Sequence, residues 1–314
     1  MDILSVIERR GIVPVIKLND AGDAVALCGA LKRGGLPVAE ITFRTSAAEE
    51  SIRRVAESLP DVMLGAGTVL SIDQAKRAVA AGAKYIVSPG FNPGVVGWCI
   101  EQDVPILPGC SSPTDIEAAL EFGLKAVKFF PAESIGGLPA IKAMSAPYGD
   151  VRFVPTGGIN EKNLTEYLAF PKILACGGSW MVKDELVAAK DWDAIAELTR
   201  SAVSKMLGFD LAHIGINAED GGEALLAAQA FSGMFGWAVK DGNSSAFAGP
   251  YIEMMKGAGR GSRGHIAVGV NSVLRAQSYL EGLGVKFLEA APGAKAVYLQ
   301  DEIAGFAIHL LQKS

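Results

Sequence analysis

Between Gly11 and Cys176, short runs of β-branched and aromatic residues alternate with stretches whose apolar positions recur at helical spacing. The interval is roughly twenty residues, the rhythm of repeated βα units and a parallel sheet. The runs predict strands over Ile12–Ile16, Val38–Phe43, Val62–Gly65, Tyr85–Ser88, Pro105–Leu107, Ala126–Phe129, Arg152–Val154 and Ile173–Ala175. Helical patterns fall between them, at Ala21–Arg33, Ala47–Ser58, Ile72–Ala81, Thr114–Phe122 and Glu161–Leu168. Several are opened by a Ser, Thr, Asp or Asn cap. Eight such units in about two hundred residues fit a (β/α)8 TIM barrel better than an open doubly wound sheet. No GxGxxG follows any strand, which argues against a dinucleotide site.

Asp191–Leu207 reads as a helix that stops at Gly208. Beyond it, residues 209–314 change character, and an internal repeat appears. Ala212-His213-Ile214-Gly215-Ile216-Asn217 is echoed by Gly264-His265-Ile266-Ala267-Val268-Gly269-Val270-Asn271, and Gly249–Met255 by Gly305–Leu311. Each half carries one helix-like run, near Gly222–Phe235 and Val273–Leu283. The pattern predicts an α+β domain of paired βαβββ modules related by a pseudo-twofold. The domains expected are therefore 1–206 and 209–314.

Composition narrows the function. The chain has 314 residues, half of them hydrophobic, and a formal charge of -5. Lysines and arginines are scattered, so there is no footprint for nucleic acid or an anionic membrane, and the expected partner is a small molecule. Four cysteines without CxxC spacing fit free thiols in a reducing compartment. The first ten residues read as an amphipathic helix rather than a signal peptide, and no apolar run is long enough to span a bilayer. A cytoplasmic protein is expected.

The candidate chemistry centres on Lys128, a lysine inside the apolar run Ala126–Phe130. In an extended segment Ala126, Lys128 and Phe130 share one side. An ammonium enclosed there is desolvated, which favours the neutral amine and makes it a nucleophile towards carbonyl carbon. The plain alternative is a strand-end lysine whose head snorkels to water. In Glu40-Ile41-Thr42-Phe43-Arg44-Thr45, period two puts Glu40, Thr42 and Arg44 on one face, as a proton shuttle and carboxylate clamp or as a structural ion pair. Gly65-Ala66-Gly67-Thr68 offers close backbone approach and a hydroxyl. The pairs Gly157-Gly158 and Gly177-Gly178, read as loops after the seventh and eighth strands, suit an anionic tail.

These residues carry a resemblance. Glu40–Thr45, Gly65–Val69, Ser88-Pro89-Gly90-Phe91-Asn92-Pro93, Lys128-Phe129-Phe130-Pro131-Ala132-Glu133 and Pro155-Thr156-Gly157-Gly158-Ile159 resemble, in order, the signatures of the class I KDPG/KHG aldolases over residues 1 to about 206. The resemblance implies cleavage of 2-keto-3-deoxy-6-phosphogluconate (KDPG) to pyruvate and glyceraldehyde 3-phosphate, or of 2-keto-4-hydroxyglutarate (KHG) to pyruvate and glyoxylate. It implies Lys128 as the Schiff-base residue and Glu40 as general acid/base. Arg44 and Thr68 would hold the pyruvate carboxylate, and Gly157, Gly158 and Ser179 the phosphate. Pro89, Phe130 and Thr156 would line the substrate site. No cofactor is implied for the aldolase, and a homotrimer is. One departure is Gly109-Cys110-Ser111-Ser112-Pro113-Thr114-Asp115, where relatives more often end in Thr-Pro-Thr/Ser-Glu.

In the second domain all three histidines, His213, His265 and His309, fall at equivalent points of the repeat, and Glu253 occupies the fourth. Imidazole with carboxylate oxygen is an ordinary ligand set for Zn, Ni, Mn, Fe or Co. The arrangement resembles the vicinal oxygen chelate (glyoxalase/bleomycin-resistance-like) superfamily. His309 stands where a glutamate is more usual. A different class of function is a sugar-acid-binding or assembly protein whose second domain supplies only ligand-binding or interface contacts.

Overall fold

Strands that are apolar on both sides have nowhere to go but between layers of helices, and the first part of the chain obeys that rule. The structure is a computed structural model and describes residues 2–313. The chain divides into two compact units, the first ending at Met206 and the second beginning at Leu207.

The first unit contains β1 (Ile12–Ile16), β2 (Val38–Thr42), β3 (Met63–Gly67), β4 (Tyr85–Val87), β5 (Ile106–Leu107), β6 (Ala126–Phe129), β7 (Arg152–Pro155) and β8 (Cys176–Gly178). Six form one parallel sheet in the order β5-β4-β3-β2-β1-β8, and β6 pairs with β7. Bridges Gly109–Lys128, Phe153–Ile173 and Thr156–Gly177 join the pair on either side, so this is a curled parallel sheet whose neighbours run full circle. Every residue of β2 and β6 is buried.

Register places Val15, Glu40, Gly65 and Tyr85 in one row across β1–β4. The row explains two glycines. A Cβ on Gly65 would collide with the Tyr85 ring, and one on Gly67 with the Glu40 carboxylate. Tyr85 fills the interior and donates its hydroxyl to Ala39 O at 3.2 Å.

Two expectations change here. The eighth strand lies at Cys176–Gly178 rather than Ile173–Ala175, so Gly177-Gly178 is strand and not loop. Gly177 and Gly178 pair with Val13 and Pro14, and a Cβ on either would strike Thr156 or Trp180. Glycine reads as a turn residue in sequence, but here it makes room for a side chain across the sheet. Helices Pro93–Glu101 and Gly137–Ser145 also went unanticipated. The first is apolar nearly all round and the second opens on glycine, so neither shows a clean polar–apolar period.

The second unit has β9 (Asp210–Asn217), β10 (Val239–Asp241), β11 (Ser245–Ala248), β12 (Ile252–Met255), β13 (Gly264–Val270), β14 (Ala296–Tyr298) and β15 (Phe306–Gln312), with helices Gly221–Phe235 and Val273–Gly282. They form a sheet in the order β10-β11-β12-β9-β13-β15-β14. β12 runs parallel to β9 and β15 parallel to β13, while β9 and β13 meet antiparallel, as a pseudo-twofold requires. The first half is a full βαβββ module. The second is one strand shorter: where its next strand would lie, only the bridge Phe287–Leu299 forms. Among the described residues, no helix is long and apolar enough to cross a membrane.

Gly65→Ala should therefore destabilise the first unit by about 1–3 kcal/mol through overpacking against Tyr85. Gly90, whose Cβ would meet open space, is the control: Gly90→Ala should stay within about 0.5 kcal/mol of wild type in denaturant titration.

Candidate active site

Lys128 sits in the middle of β6, clamped by its own backbone. Its N–H donates to Pro108 O at 2.9 Å, and its carbonyl accepts from Cys110 N at 2.8 Å. The side chain therefore leaves a fixed point towards the interior, where Nζ donates to Glu40 Oε1 at 3.2 Å. The two side chains are only 7% and 5% exposed. Nζ also lies 5.4 Å from the centre of the Phe130 ring. An amine nucleophile, a carboxylate within proton-transfer distance and an apolar wall are the parts that imine chemistry needs.

The structure distributes the other expected residues as follows. Thr42 turns its hydroxyl to Ile16 O at 2.8 Å and accepts from Arg44 Nε at 3.1 Å. Arg44 lies past the end of β2, and with Lys17, Ser179, Trp180 and Lys183 it lines a pocket of about 480 Å³. Thr68 follows β3 in the left-handed region, at φ 57. Such backbone is uncommon for a β-branched residue and is found at functional sites. Thr156, after β7, is buried and its Oγ1 has no hydrogen-bond partner. Pro89 packs its carbonyl against Gly109, where a Cβ would intrude.

Gly157 and Gly158 have φ of 100 and 85, which only glycine adopts easily. Their loop is tied to the turn after β6, because Ala132 N donates to Thr156 O at 2.8 Å and Glu133 N to Gly157 O at 3.0 Å. A Cβ on Gly158 would run into Glu133. The loop itself therefore needs that glycine.

Lys17 and Lys183 went unread in the sequence. Lys17 directly follows β1, which was signal enough for a cation at the C-terminal end of a strand; it pairs with Asp184 at 3.4 Å. The departure at Gly109–Asp115 builds a helix start, where Ser112 and Asp115 form a capping box. All four cysteines are buried, and none is in a disulfide. Burial, with Asp115 adding, pushes the Cys110 thiol up to about 12, so it takes no part as a nucleophile.

The second unit gathers its titratable side chains onto one sheet face. Glu253 on β12 lies opposite Gly215 on β9, which lies opposite His265 on β13. Ala267, two residues on, lies opposite both His213 and His309. The ligand atoms of the three histidines fall within 4.8 Å of one another. Glu253 Oε2 is 3.1 Å from His213 Nε2 and 3.0 Å from His265 Nε2, and Oε1 accepts from Ser245 Oγ at 2.6 Å. Burial raises the Glu253 pKa, but the bonds from His213, His265 and Ser245 outweigh it and hold the carboxyl well below its ordinary range. Gly215 leaves the space that the His265 ring occupies. His309 stacks on Tyr298 with ring centres 4.7 Å apart, yet neither of its buried nitrogens has a hydrogen-bond partner. Three imidazoles, one carboxylate and an orphaned ring nitrogen fit a divalent metal.

A family model described as KDPG and KHG aldolase matches residues 3–198. A 2-dehydro-3-deoxy-phosphogluconate aldolase of Treponema pallidum is 51% identical over 201 residues, 64% of this chain and 96% of that protein. The KHG/KDPG aldolase of Escherichia coli is 40% identical over 199 residues, 63% of this chain and 93% of the relative. A KDPG aldolase structure from Legionella pneumophila, with pyruvate captured as a covalent carbinolamine, superposes with a TM-score of 0.62 at 36% identity, covering 64% of this chain and 98% of that one. A Zymomonas mobilis KDPG aldolase solved with 3-phosphoglycerate gives 0.60 at 38% identity, covering 64% and 94%.

The histidine cluster sets a pH dependence. Burial, with His265 and His213 adding, lowers the His309 pKa from 6.5 to about 4. Between those values the unfolded chain binds a proton that the folded one resists, so stability present above pH 6.5 is lost as pH falls towards 4. Glu253 acts in the same direction at more acid pH, because its depressed carboxyl is protonated more readily once unfolded. Urea midpoints of chelator-treated protein should fall across that window, and His309→Phe should flatten the slope; equal slopes would refute the assignment.

Proposed function

This chain belongs to the KDPG and KHG aldolase family, and from that premise we propose that its first unit, read as a (β/α)8 barrel, is a class I pyruvate aldolase. It would cleave KDPG to pyruvate and glyceraldehyde 3-phosphate, KHG to pyruvate and glyoxylate, or both. The observation that carries the reading is the buried pair of Lys128 and Glu40 at 3.2 Å. An aldolase of this class draws its electron sink from lysine and needs no metal.

Before attack the ammonium must lose a proton, and the Glu40 carboxylate is the base in reach. The Lys128 amine then adds to C2 of the keto acid, giving a carbinolamine. Protonation of its hydroxyl by Glu40 releases water and leaves the iminium. Glu40, now a base again, takes the proton from the C4 hydroxyl directly or through one water. The C3–C4 electron pair moves into the iminium, which expels the aldehyde and leaves an enamine. A proton returned to C3 and hydrolysis of the imine release pyruvate and restore the lysine. The captured carbinolamine of the Legionella relative is the species expected at the first step.

Arg44 and Thr68 are assigned to the carboxylate. Gly157, Gly158 and Ser179 are assigned to the phosphate, with Lys17 and Lys183 adding positive charge to the pocket that Arg44 and Ser179 line. That a Zymomonas relative was solved with 3-phosphoglycerate is in keeping with a phosphorylated ligand. Pro89, Phe130 and Thr156 complete the walls, the free Thr156 hydroxyl being available to substrate.

For the second unit we propose a vicinal-oxygen-chelate-like domain in which His213, Glu253, His265 and His309 hold a divalent metal. The convergence of three buried histidines favours this over a purely structural or interface module. When bound, the metal would supply a Lewis acid with positions open to ligand oxygen. Ser245 orients Glu253, and Tyr298 fixes the plane of His309.

Borohydride reduction with pyruvate should attach a three-carbon adduct to Lys128, located by peptide mass mapping. Lys128→Ala should abolish both adduct and turnover, while Glu40→Gln should lower turnover by about 10²–10⁴ and retain more of the trapping. An adduct on another lysine would overturn the mechanism.

Metal is tested separately. Elemental analysis of protein reconstituted with zinc or cobalt should find about one ion per chain, lost in His213→Ala and His265→Ala. A chelator should empty that site and leave aldol cleavage intact. Metal content indifferent to both substitutions would leave the second unit as a binding or interface module.

A further inference from the structure

Beyond the histidines, the ring of Tyr298 carries a cation with no assigned task. Arg260 lies in the glycine-rich loop between β12 and β13, and its guanidinium stands over the Tyr298 ring, 5.0 Å from the centroid. Tyr298 in turn stacks on His309. A single aromatic ring thus separates a guanidinium from the metal-ligand set.

The loop is built to hold Arg260 there. Asn217, at the end of the strand that carries His213, donates to Gly261 O at 3.0 Å and accepts from Gly259 N at 3.0 Å. Both neighbours of Arg260 are therefore fixed by one side chain. Gly261 takes φ 80 and packs so closely against Gly264 and Ala307 that no Cβ fits. Yet Arg260 is exposed, and no carboxylate of the described residues pairs with it within ion-pair distance. Of the loop's other long cations, Lys256 is occupied by Asp241 at 2.7 Å and by Gly242 O, and Arg263 lies beside Gly305 rather than over Tyr298. A fixed, stacked guanidinium with unspent donors is a receptor for a planar oxyanion.

Charge points the same way. One carboxylate among imidazole ligands would leave a divalent ion net positive, and Arg260 adds a second positive centre. A ligand joining the two must be anionic, and the single guanidinium stacked over Tyr298 matches a carboxylate better than a doubly charged phosphate. We propose that Arg260 is the anion-recognition residue of the histidine site, and that the ligand of the second unit is a short-chain carboxylic acid whose oxygen reaches the metal. The proposal rests on the metal reading above. It distinguishes the two sites of the chain, since three cations, Lys17, Arg44 and Lys183, line the barrel pocket beside Asp184 and Glu185.

The test uses full-length protein carrying Lys128→Ala, so that the barrel forms no imine, loaded with Co²⁺. Oxalate, which cannot form a Schiff base, is titrated by visible cobalt absorption and by calorimetry. Oxalate should shift the cobalt bands. Arg260→Ala and Arg260→Gln should each weaken binding roughly tenfold or more, with Arg260→Lys between, while cobalt content and the oxalate-free spectrum stay unchanged. Equal affinity in all variants would overturn the role of Arg260 and leave the metal reading standing. Inorganic phosphate binding as tightly as oxalate would overturn the carboxylate class. A parent protein that binds no cobalt would remove the metal reading, and this proposal with it.

Discussion

The first unit depends on a charged pair kept away from water. Lys128 and Glu40 come from strands on opposite arcs of the curled sheet, β6 and β2, and meet at 3.2 Å in the interior. A buried pair contributes little net stability, because desolvating two charges offsets most of their attraction, and removing one partner costs about 3–5 kcal/mol. Its presence is therefore better explained by chemistry than by stability. Much of the surrounding sequence follows from holding it. Gly67 leaves space for the carboxylate, Gly65 admits the Tyr85 ring beneath the same row, and burial together with the Glu40 charge keeps the Tyr85 phenol protonated.

What the sequence revealed depended on period. The alternation in Ala126–Phe129 located β6 to the residue, and Ile12–Ile16 likewise, because buried strands leave unbroken apolar runs. The same rule put Arg44 on the face of Glu40; the strand stops at Thr42, and Arg44, bonded to the Thr42 hydroxyl, lines a pocket with Ser179. Strand ends are set by partners, which a single segment does not display. The glycines of β8 misled for the same reason: their meaning lies in Thr156 and Trp180 across the sheet. In the second unit the repeat exposed the four ligand-type residues, because equivalent strands carried similar words. Arg260 and Tyr298 have no echo in the first half, so only register and loop packing brought them to His309.

The two units place their polar groups in contrasting ways. The first encloses a cation and an anion and directs them at a carbonyl. The second surrounds a single carboxylate with three imidazoles, two of which already hydrogen-bond it, and leaves the third with nothing to bind. Buried polar atoms without partners are costly, and Thr156 Oγ1 and both His309 ring nitrogens are among them. The two residues lie in different units.

The central claim is that Lys128 Nζ becomes covalently attached to a keto acid beside Glu40. A crystal structure of the protein soaked with pyruvate tests it most directly. The account predicts continuous density between Lys128 Nζ and C2 of pyruvate, with the carboxylate towards Arg44 and Thr68 and Glu40 within hydrogen-bonding distance of the new linkage. Pyruvate lying unattached in the barrel, or joined to any other residue, would contradict it.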